Sequence, residues 1–321
     1  MFTIFKTVPK LDYFRFHKLC FALSILLSVV TAVSLSTRGL NFGVDFAGGI
    51  LIEVRTPGAA DLADIRGKLN ALNLGDVSLQ EFGTPSDILI RVQRQTGGEE
   101  QERAAVESIQ KVLGSGVDYR RIEVVGPKVG SELIRDGVWA VILSIGGIMA
   151  YMAFRFGWKA GFTGIVALIH DCWTTVGLYS ITGLQFDLTS VAVIVTIAGF
   201  SINDTVVIDD RIRENLRKYK SMDFRDLINR SVNETMARTV MTNGLLFLAV
   251  LALVLVGGQV LQNFSIAMLW GVVIGTYSTI WVAAPLEWYM SKDQHRRSAL
   301  AAAAVAEQAA GDNAKLGKPG A

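Results

Sequence analysis

The sequence predicts a multi-pass α-helical membrane protein, with six transmembrane helices and one α+β domain between the first and second of them. Hydrophobic residues make up 51% of the 321 residues and charged residues only 19%, below the quarter that soluble domains carry; the mean hydropathy is +0.39. Neither Lys nor Arg occurs in 161–210 or 239–291, and each stretch can hold two spans of about 20 residues. Within 38–128 the charges return, and the apolar residues recur at strand and helix periods.

The first predicted span follows a short basic segment. Residues 1–18 contain four Lys and Arg residues, and 19–37 then run without a charge. A cleavable signal peptide would have a shorter apolar core and a small-residue cleavage site. We therefore expect residues 19–37 to be retained as a transmembrane helix, with the basic segment in the cytoplasm.

Residues 38–130 are expected to form the α+β domain. Apolar residues alternate with the period of a strand, or recur with the period of a helix, in the order 50–54 (strand), 62–72 (helix), 77–79 (strand), 88–92 (strand), 105–113 (helix) and 122–124 (strand). A turn is predicted at Pro85–Asp87. The order βαββαβ closes into a ferredoxin-like sandwich. Because no cluster of His, Cys or paired carboxylates resembles a catalytic site, we expect a binding or mechanical module and no enzyme activity.

Five further spans are predicted within residues 131–291. Their approximate ranges are 137–154, 161–182, 188–208, 239–256 and 264–288. An Ala-rich polar tail, 292–321, follows them and is expected to be disordered.

The cations of the short connections predict the topology. Lys and Arg occur in the connections at 155–159 and 211–238, whereas the turns at 183–187 and 257–263 contain neither. By the positive-inside rule, both termini then lie in the cytoplasm. Six spans place the α+β domain on the outer face of the membrane.

No metal or nucleic-acid site is indicated. Cys20 and Cys172 lie inside predicted spans and lack the spacing of metal ligands, so we interpret them as packing residues. The net charge is +2, and no basic patch with interleaved aromatic residues is present. No cofactor is expected.

Asp204 is the leading candidate for function, because it lies inside the apolar run of the fourth span. A charged side chain at the centre of a bilayer costs about 2.5–3.5 kcal/mol on insertion scales, and such residues usually mark an ion or substrate path. Ser201, three residues earlier, shares its helix surface, and Thr196, Gly199 and Asn203 line the adjoining face. The alternative is a protonated Asp204 that serves only helix assembly.

Two further polar groups lie in the spans. His170 and Asp171 are near the middle of the third span; they form either a functional site or a neutral pair that packs the helix. Arg238 precedes Thr239, Thr242 and Asn243 in the fifth span, and it is either a partner of Asp204 or an anchor at the interface. If Arg238 and Asp204 meet, a movement that separates them lets the Asp bind a proton, because a nearby cation favours the carboxylate and desolvation favours the acid.

In the sixth span, Gly271 and Gly275 have the GxxxG spacing of closely packed membrane helices. We interpret this pair as a packing feature rather than as part of a chemical site.

Four motifs resemble those of a known family. They are the sequences GVDFAGG at 43–49, VGPKVGSEL at 125–133, LIHD at 168–171, and the run from Gly199 to Asn215. In this order and topology the chain resembles the SecF family, the smaller membrane subunits of the SecDF protein-export complex, over nearly its whole length. The positions that match the family motifs include Gly43, Asp45, Phe46, Gly48, Gly49, Asp210 and Arg211. Asp209 is a departure, since the family commonly has an aromatic or aliphatic residue there.

The resemblance implies a relative of the resistance-nodulation-division transporters in the bacterial plasma (inner) membrane. Such a subunit pairs with a SecD-like six-span partner and helps unfolded preprotein through the SecY channel, with SecE, SecG and YajC as further partners. The energy source would be the proton gradient, or sodium in some members. By position, Asp204 and Arg238 match the coupling residues, with Asn203 and Ser201 beside them. The alternatives are a half-transporter for small molecules or lipids, and a non-transporting scaffold.

Overall fold

Six helices in the described part of the chain are long and apolar enough to cross a membrane, and the prediction of six spans is confirmed. The structure is a computed structural model that describes residues 9–82, 84–293 and 295. The candidate spans are His17–Thr37, Val129–Phe156, Trp158–Thr182, Leu188–Lys218, Phe224–Val256 and Leu261–Asp293. The start of the basic segment, residues 1–8, and nearly all of the predicted tail lie outside the described residues.

The elements follow one another in a simple order. A 3-10 turn, Tyr13–Arg15, precedes α1 (His17–Thr37), β1 (Asn41–Phe42), α2 (Val44–Ala47), β2 (Gly49–Arg55), α3 (Leu62–Asn70), β3 (Val77–Phe82), β4 (Thr84–Gln93), α4 (Glu99–Leu113), β5 (Asp118–Val125), α5 (Pro127–Phe156), α6 (Trp158–Thr182), β6 (Gln185–Phe186), α7 (Leu188–Lys218), α8 (Phe224–Val256) and α9 (Gly258–Ser278). After α9 the chain continues through a π-helical turn, Thr279–Ala283, into a last helical segment that reaches Asp293.

Helices α6, α7 and α9 form the interior of the bundle. In α6 and in the helix containing α9, 67% and 61% of the most apolar window is buried, against 17% in α1 and 11% in α5. Small residues allow this close packing. A Cβ added to Gly271 of α9 would lie 2.3 Å from the side chain of Ile197 on α7, and a Cβ on Gly275 would lie 3.3 Å from Ser201. The GxxxG pattern therefore packs α9 against α7.

The cation-rich segment 211–238 is helical, where the sequence analysis expected a loop. Helix α7 extends to Lys218 and α8 begins at Phe224, so only a few residues connect the two. The charges lie on the outer side of an amphipathic hairpin. Its inner side packs Ile208 and Ile212 of α7 into one cluster with Ile228 of α8. The prediction of a loop rested on the number of cations and overlooked the apolar residues that recur along one face of each helix.

The α+β domain has the predicted element order. Its four strands form one antiparallel sheet in the order β3-β4-β2-β5. Ile52 pairs with Ile90 on one side and with Ile122 on the other. Ile65 of α3 and Ile109 of α4 belong to the same buried cluster as the central strands, so the two helices cover one face of the sheet.

The prediction of a turn at Pro85–Asp87 is wrong, because these residues belong to β4. The chain reverses between Phe82 and Thr84, which pair with each other. Asp87 is satisfied inside the sheet, since its carboxylate accepts two hydrogen bonds from Arg55, at 2.6 and 2.7 Å, and one from Thr84 at 2.8 Å.

A small parallel sheet that the sequence did not predict joins the two parts of the molecule. Asn41 of β1 pairs with Gln185 of β6, and Phe42 pairs with Phe186. The segment that leads from α1 into the α+β domain is thereby tied to the turn between α6 and α7.

Candidate ion-coupling site in the helix bundle

Asp204 is buried where α7, α8 and α9 meet, with 3% of its surface exposed. Its Oδ2 accepts a hydrogen bond from Nδ2 of Asn243 on α8 at 2.6 Å. The same amide nitrogen donates to Oγ1 of Thr276 on α9 at 2.6 Å, while Oγ1 of Thr242 lies 3.3 Å from Oδ1 of Asn243. A neutral amide, rather than a cation, therefore contacts the Asp204 carboxylate directly.

Arg238 lies near Asp204 without bonding to it. Its side chain is exposed on α8, five residues before Asn243, and it acts on Asp204 as a nearby positive charge. Among the described residues the Arg238 guanidinium has neither an ion pair nor a hydrogen bond. Thr239 is buried, whereas Thr242 is exposed and donates to the Arg238 carbonyl at 3.0 Å.

A second carboxylate, Asp171 of α6, is completely buried and hydrogen-bonded from three sides. Its Oδ2 accepts hydrogen bonds from Oγ of Ser201 on α7 at 2.6 Å and from Oγ of Ser278 on α9 at 2.7 Å. Its Oδ1 lies 3.1 Å from Nδ1 of His170, whose other ring nitrogen, Nε2, is buried without a partner in the described structure. The three interior helices are thus joined through Asp171.

The structure divides the residues that the sequence grouped around Asp204. Ser201 faces Asp171, so its hydroxyl belongs to the second carboxylate. Asn203, Thr196 and Gly199 are exposed on the opposite side of α7. The small polar face of α7, which the sequence suggested would be buried among other helices, is open in this single chain.

The motif at 43–49 anchors the α+β domain to the first turn of α7. Oδ2 of Asp45 accepts a hydrogen bond from the backbone N–H of Leu188 at 3.1 Å, and the N–H of Gly43 donates to the Phe186 carbonyl at 2.9 Å. Phe46 is buried, with its ring centroid 5.9 Å from that of Phe186. The motif therefore fixes the position of the domain relative to α7.

The paired glycines of this motif are required by backbone geometry. Gly48 and Gly49 have φ of +75° and +130°, conformations that residues with a Cβ rarely adopt. A Cβ on Gly49 would lie 2.5 Å from the Val92 carbonyl oxygen, and one on Gly130 of α5 would lie 2.8 Å from that of Phe46. Close backbone contacts at the base of the domain depend on these glycines.

Asp210 and Arg211 lie at the opposite end of α7 and tie it to its neighbours. Asp210 forms an ion pair with Arg155 of α5 at 3.1 Å. Arg211 pairs with Glu214 at 2.6 Å and with Glu234 of α8 at 2.7 Å. These motif residues brace the helical hairpin and do not contact Asp204.

The sequence did not predict two residues of α9 that take part in these contacts: Thr276, which accepts a hydrogen bond from Asn243, and Ser278, which donates one to Asp171. A signal for them existed, because four hydroxyl-bearing residues occupy 276–279 in the middle of an apolar span. The π-helical turn begins directly after Ser278, and Thr279 contacts Thr205 of α7 at 3.2 Å. Such turns are often found at functional sites.

Comparison with known proteins gives two family matches. Residues 105–293 match the family described as protein export membrane protein SecD/SecF, C-terminal, and residues 33–56 match the SecD/SecF GG motif. Protein translocase subunit SecF of Rickettsia rickettsii (strain Sheila Smith) is 42% identical over 282 residues, 86% of this chain and 90% of the relative. SecF of Rickettsia prowazekii (strain Madrid E) is 42% identical over 279 residues, 86% of this chain and 89% of the relative.

Two solved structures of SecDF are also similar. SecDF in its super-membrane-facing form has a TM-score of 0.68 and 32% identity, covering 94% of this chain and 41% of that chain. The structure of SecDF from Thermus thermophilus, described as a translocon-associated membrane protein, has a TM-score of 0.75 and 32% identity, covering 88% of this chain and 39% of that chain. The chain thus spans about two fifths of the length of these SecDF proteins.

Proposed function

The chain belongs to the SecD/SecF family of protein-export membrane proteins, in which its relatives are SecF subunits, and we propose that its bundle couples an ion gradient to protein export. It is a subunit of the Sec export machinery. With a SecD-like partner, it uses the proton gradient to assist preprotein translocation through the SecY channel and release on the outer side.

The observation that carries this proposal is the environment of Asp204. The carboxyl group is buried, and a neutral Asn243 amide contacts it while the Arg238 guanidinium stays nearby and unbonded. Burial favours the acid and an approaching guanidinium favours the carboxylate. A change in the separation of the two residues therefore loads or unloads a proton, and a charge that crosses 100 mV contributes about 2.3 kcal/mol.

The open face of α7 supports a six-span partner. Asn203 and Thr196 are exposed on α7, and Arg238 and Thr242 are exposed on α8. Polar side chains at membrane depth face the interior of a bundle or a water-filled cavity rather than lipid. A SecD-like bundle packed there would enclose Asp204 and Arg238 at the interface. SecY, SecE, SecG, YajC and the unfolded preprotein are the further partners of the proposal.

The charge distribution supports an inner-membrane protein with both termini in the cytoplasm. Arg155 and the cations of the α7–α8 hairpin lie at one end of the bundle, where Arg155 pairs with Asp210. By the positive-inside rule this end is cytoplasmic, which places the α+β domain on the outer face.

A half-transporter for small molecules or lipids is the second candidate. One apolar cavity of about 320 Å³ lies between α5, α6 and α7, lined by Val141, Trp173 and Ile194 among others. The cavity lies beside α5, a helix at the periphery of the bundle, and this position also suits the acyl chain of a membrane lipid. The family match favours protein export.

The test is export into proteoliposomes that contain the Sec channel and a SecD-like partner. Asp204→Asn should insert and co-purify with the partner but lose the gradient-dependent stimulation of export. Asp226→Asn, a change at an exposed carboxylate on α8, should retain it. Full stimulation by Asp204→Asn would exclude Asp204 as the coupling residue. Imposing a proton gradient and a sodium gradient separately identifies the ion.

Co-purification from native membranes, followed by mass spectrometry, tests the partners. Recovery of SecD-like and SecY-like chains is expected. Recovery of a small-molecule exporter subunit in their place would favour the second candidate.

A further inference from the structure

Two carboxyl groups meet inside the protein at the end of the bundle where α7 and α8 are connected. Asp209 lies on α7 and Glu287 on the last helical segment, and they are 7% and 9% exposed. Each carboxyl group is a side-chain hydrogen-bond partner of the other.

The second oxygen of Asp209 has no partner. Oδ2 is buried and makes no hydrogen bond among the described residues. A buried ionised carboxylate normally accepts several hydrogen bonds, because each unsatisfied oxygen retains its desolvation cost. The environment of Asp209 is therefore unlike that of Asp171, whose two oxygens are bonded by three donors.

The ionisable groups of the surrounding elements have contacts of their own. His17 of α1 contacts the Phe14 carbonyl and the Tyr289 hydroxyl, and Lys159 of α6 acts electrostatically on His295. Lys292 lies over the rings of Trp288 and Tyr289. On α7 itself, the neighbours Asp210 and Arg211 pair with Arg155, Glu214 and Glu234.

Apolar side chains flank Asp209 and Glu287 along their helices, with Ile208 before Asp209 and Trp288 after Glu287. Ile208 and Ile212 of α7 and Ala284 of the last segment are buried in one cluster, with Trp288 packed against it. In such surroundings two negative charges in contact repel each other strongly.

Two carboxyl groups in buried contact do not both ionise near neutral pH; they share one proton, as the paired carboxyls of aspartic proteases do. The O–H of one acid then donates to the carboxylate of the other. We propose that Asp209 and Glu287 form a proton-binding site that holds one exchangeable proton at the α7–α8 end of the bundle. The pair keeps one negative charge and takes its proton from the water at that end.

This site is distinct from the one at Asp204. Five residues of α-helix separate Asp204 from Asp209, about 7.5 Å along the axis, and Asp204 contacts Asn243 of α8 whereas Asp209 contacts Glu287. The inference goes beyond ion coupling at Asp204, because the shared proton depends on the two carboxyl groups alone.

Infrared titration of the full-length protein in lipid nanodiscs tests the site. The carbonyl stretch of a protonated carboxylic acid is separate from the bands of carboxylates and amides. We expect a protonated acid at neutral pH that is lost only on alkaline titration. The double variant Asp209→Asn/Glu287→Gln should remove a signal equivalent to one carboxylic acid, because no acid is left to hold the shared proton. Each single variant leaves one buried acid, and the signal of that acid should titrate at a different pH because its partner no longer carries a charge.

Asp210→Asn is the matched control, since it removes the adjacent exposed carboxylate and should leave the signal unchanged. A parent protein without the signal, or a signal that persists at full size in the double variant, would overturn the proposal. Loss of the signal in Asp204→Asn instead would reassign the proton to Asp204. If the double variant fails to insert, Glu287→Gln alone decides, because it keeps the shape of the glutamate; an unchanged titration of the signal in that variant would overturn the proposal.

Discussion

The carboxylate of Asp45 accepts a hydrogen bond from the backbone N–H of Leu188, the first residue of α7, at 3.1 Å. Asp187 completes this helix start by accepting a hydrogen bond from the Ser190 N–H at 2.9 Å. The base of the α+β domain and the helix that carries Asp204 are therefore fixed to each other directly. A displacement of α7 moves the base of the domain with it.

Asp45→Ala should loosen this connection. Removing a side-chain acceptor at a helix start costs about 0.5–2 kcal/mol, and Leu188 N–H would lose its partner. Hydrogen exchange followed by mass spectrometry should show faster exchange at the start of α7, together with weaker stimulation of export.

Asp64→Ala is the control for Asp45→Ala. Asp64 forms an exposed ion pair with Lys68 on α3 at 2.6 Å, a pair of a kind that contributes about 0.3–0.5 kcal/mol. Unchanged exchange at Leu188 in Asp45→Ala would show that this hydrogen bond does not hold the helix start.

Ser201→Ala should destabilise the bundle through Asp171. The substitution removes one of the two hydroxyl groups that donate to Asp171 Oδ2, and loss of such a partner at a buried acceptor costs about 1–3 kcal/mol. Thermal unfolding in detergent measures the change.

Ser36→Ala is the matched control, because the Ser36 hydroxyl is exposed and donates a hydrogen bond to the Ala32 carbonyl of its own helix. Equal unfolding temperatures for Ser201→Ala and Ser36→Ala would contradict a structural role of the Asp171 cluster.

Arg238→Lys should lower gradient-dependent export at least partly, and Arg238→Gln should lower it further. Lys keeps the positive charge that acts on Asp204 but lacks the planar guanidinium that can bind a carboxylate through two hydrogen bonds. Export into proteoliposomes at equal amounts of inserted protein is the measurement.

Arg225→Lys, at an exposed Arg of α8 that pairs with Asp12, serves as the control for Arg238. Wild-type export with Arg238→Gln would indicate that Arg238 is an anchor at the membrane interface and takes no part in coupling.

The α+β domain should lose stability in acid through Asp87. The hydrogen bonds from Arg55 lower the pKa of Asp87 most, burial opposes them, and the hydrogen bond from Thr84 adds to the lowering. Because the folded pKa lies below the unfolded value of about 3.9, the stabilisation is present above that value and is lost as the pH falls through the folded pKa.

Asp87→Asn should therefore be less stable than the parent protein at neutral pH and should depend less on pH in the acid range. Exchange of the β2 and β4 amides, corrected for its intrinsic pH dependence, reports the difference. Asp64→Asn should show the same pH dependence of amide exchange as the parent protein. If Asp87→Asn showed it as well, Asp87 would not be a source of the loss of stability in acid.

Periodicity and charge predicted the six spans and the strand–helix order of the α+β domain. Both features depend on which residues are buried away from water, and the apolar pattern of the sequence records that burial. They did not predict the extent of α7 and α8, since exposed cations beside an apolar stripe occur in loops and in amphipathic helices alike. The β1–β6 pairing was also missed, because strands of two residues leave no periodic signal.

At the candidate site, the sequence identified Asp204 and Asp171 as intramembrane acids but not their surroundings. The spacing of Ser201 and Asp204 placed them on one helix surface, yet Ser201 donates to Asp171 of α6. Partners on other helices depend on how the helices are rotated in the bundle, and one sequence does not give that rotation.

Helix α7 contains 31 residues, about 46 Å at 1.5 Å per residue, whereas the hydrocarbon core of a bilayer is about 30 Å thick. A helix of this length extends beyond the hydrocarbon core, and the charge-rich residues 209–218 lie in the part that follows the predicted span. A tilt of about 10° around its middle would carry each tip roughly 4 Å sideways, from a half-length of about 23 Å. A small change in packing around Asp204 that tilted α7 would therefore displace Leu188, where the helix meets the domain, by several ångströms.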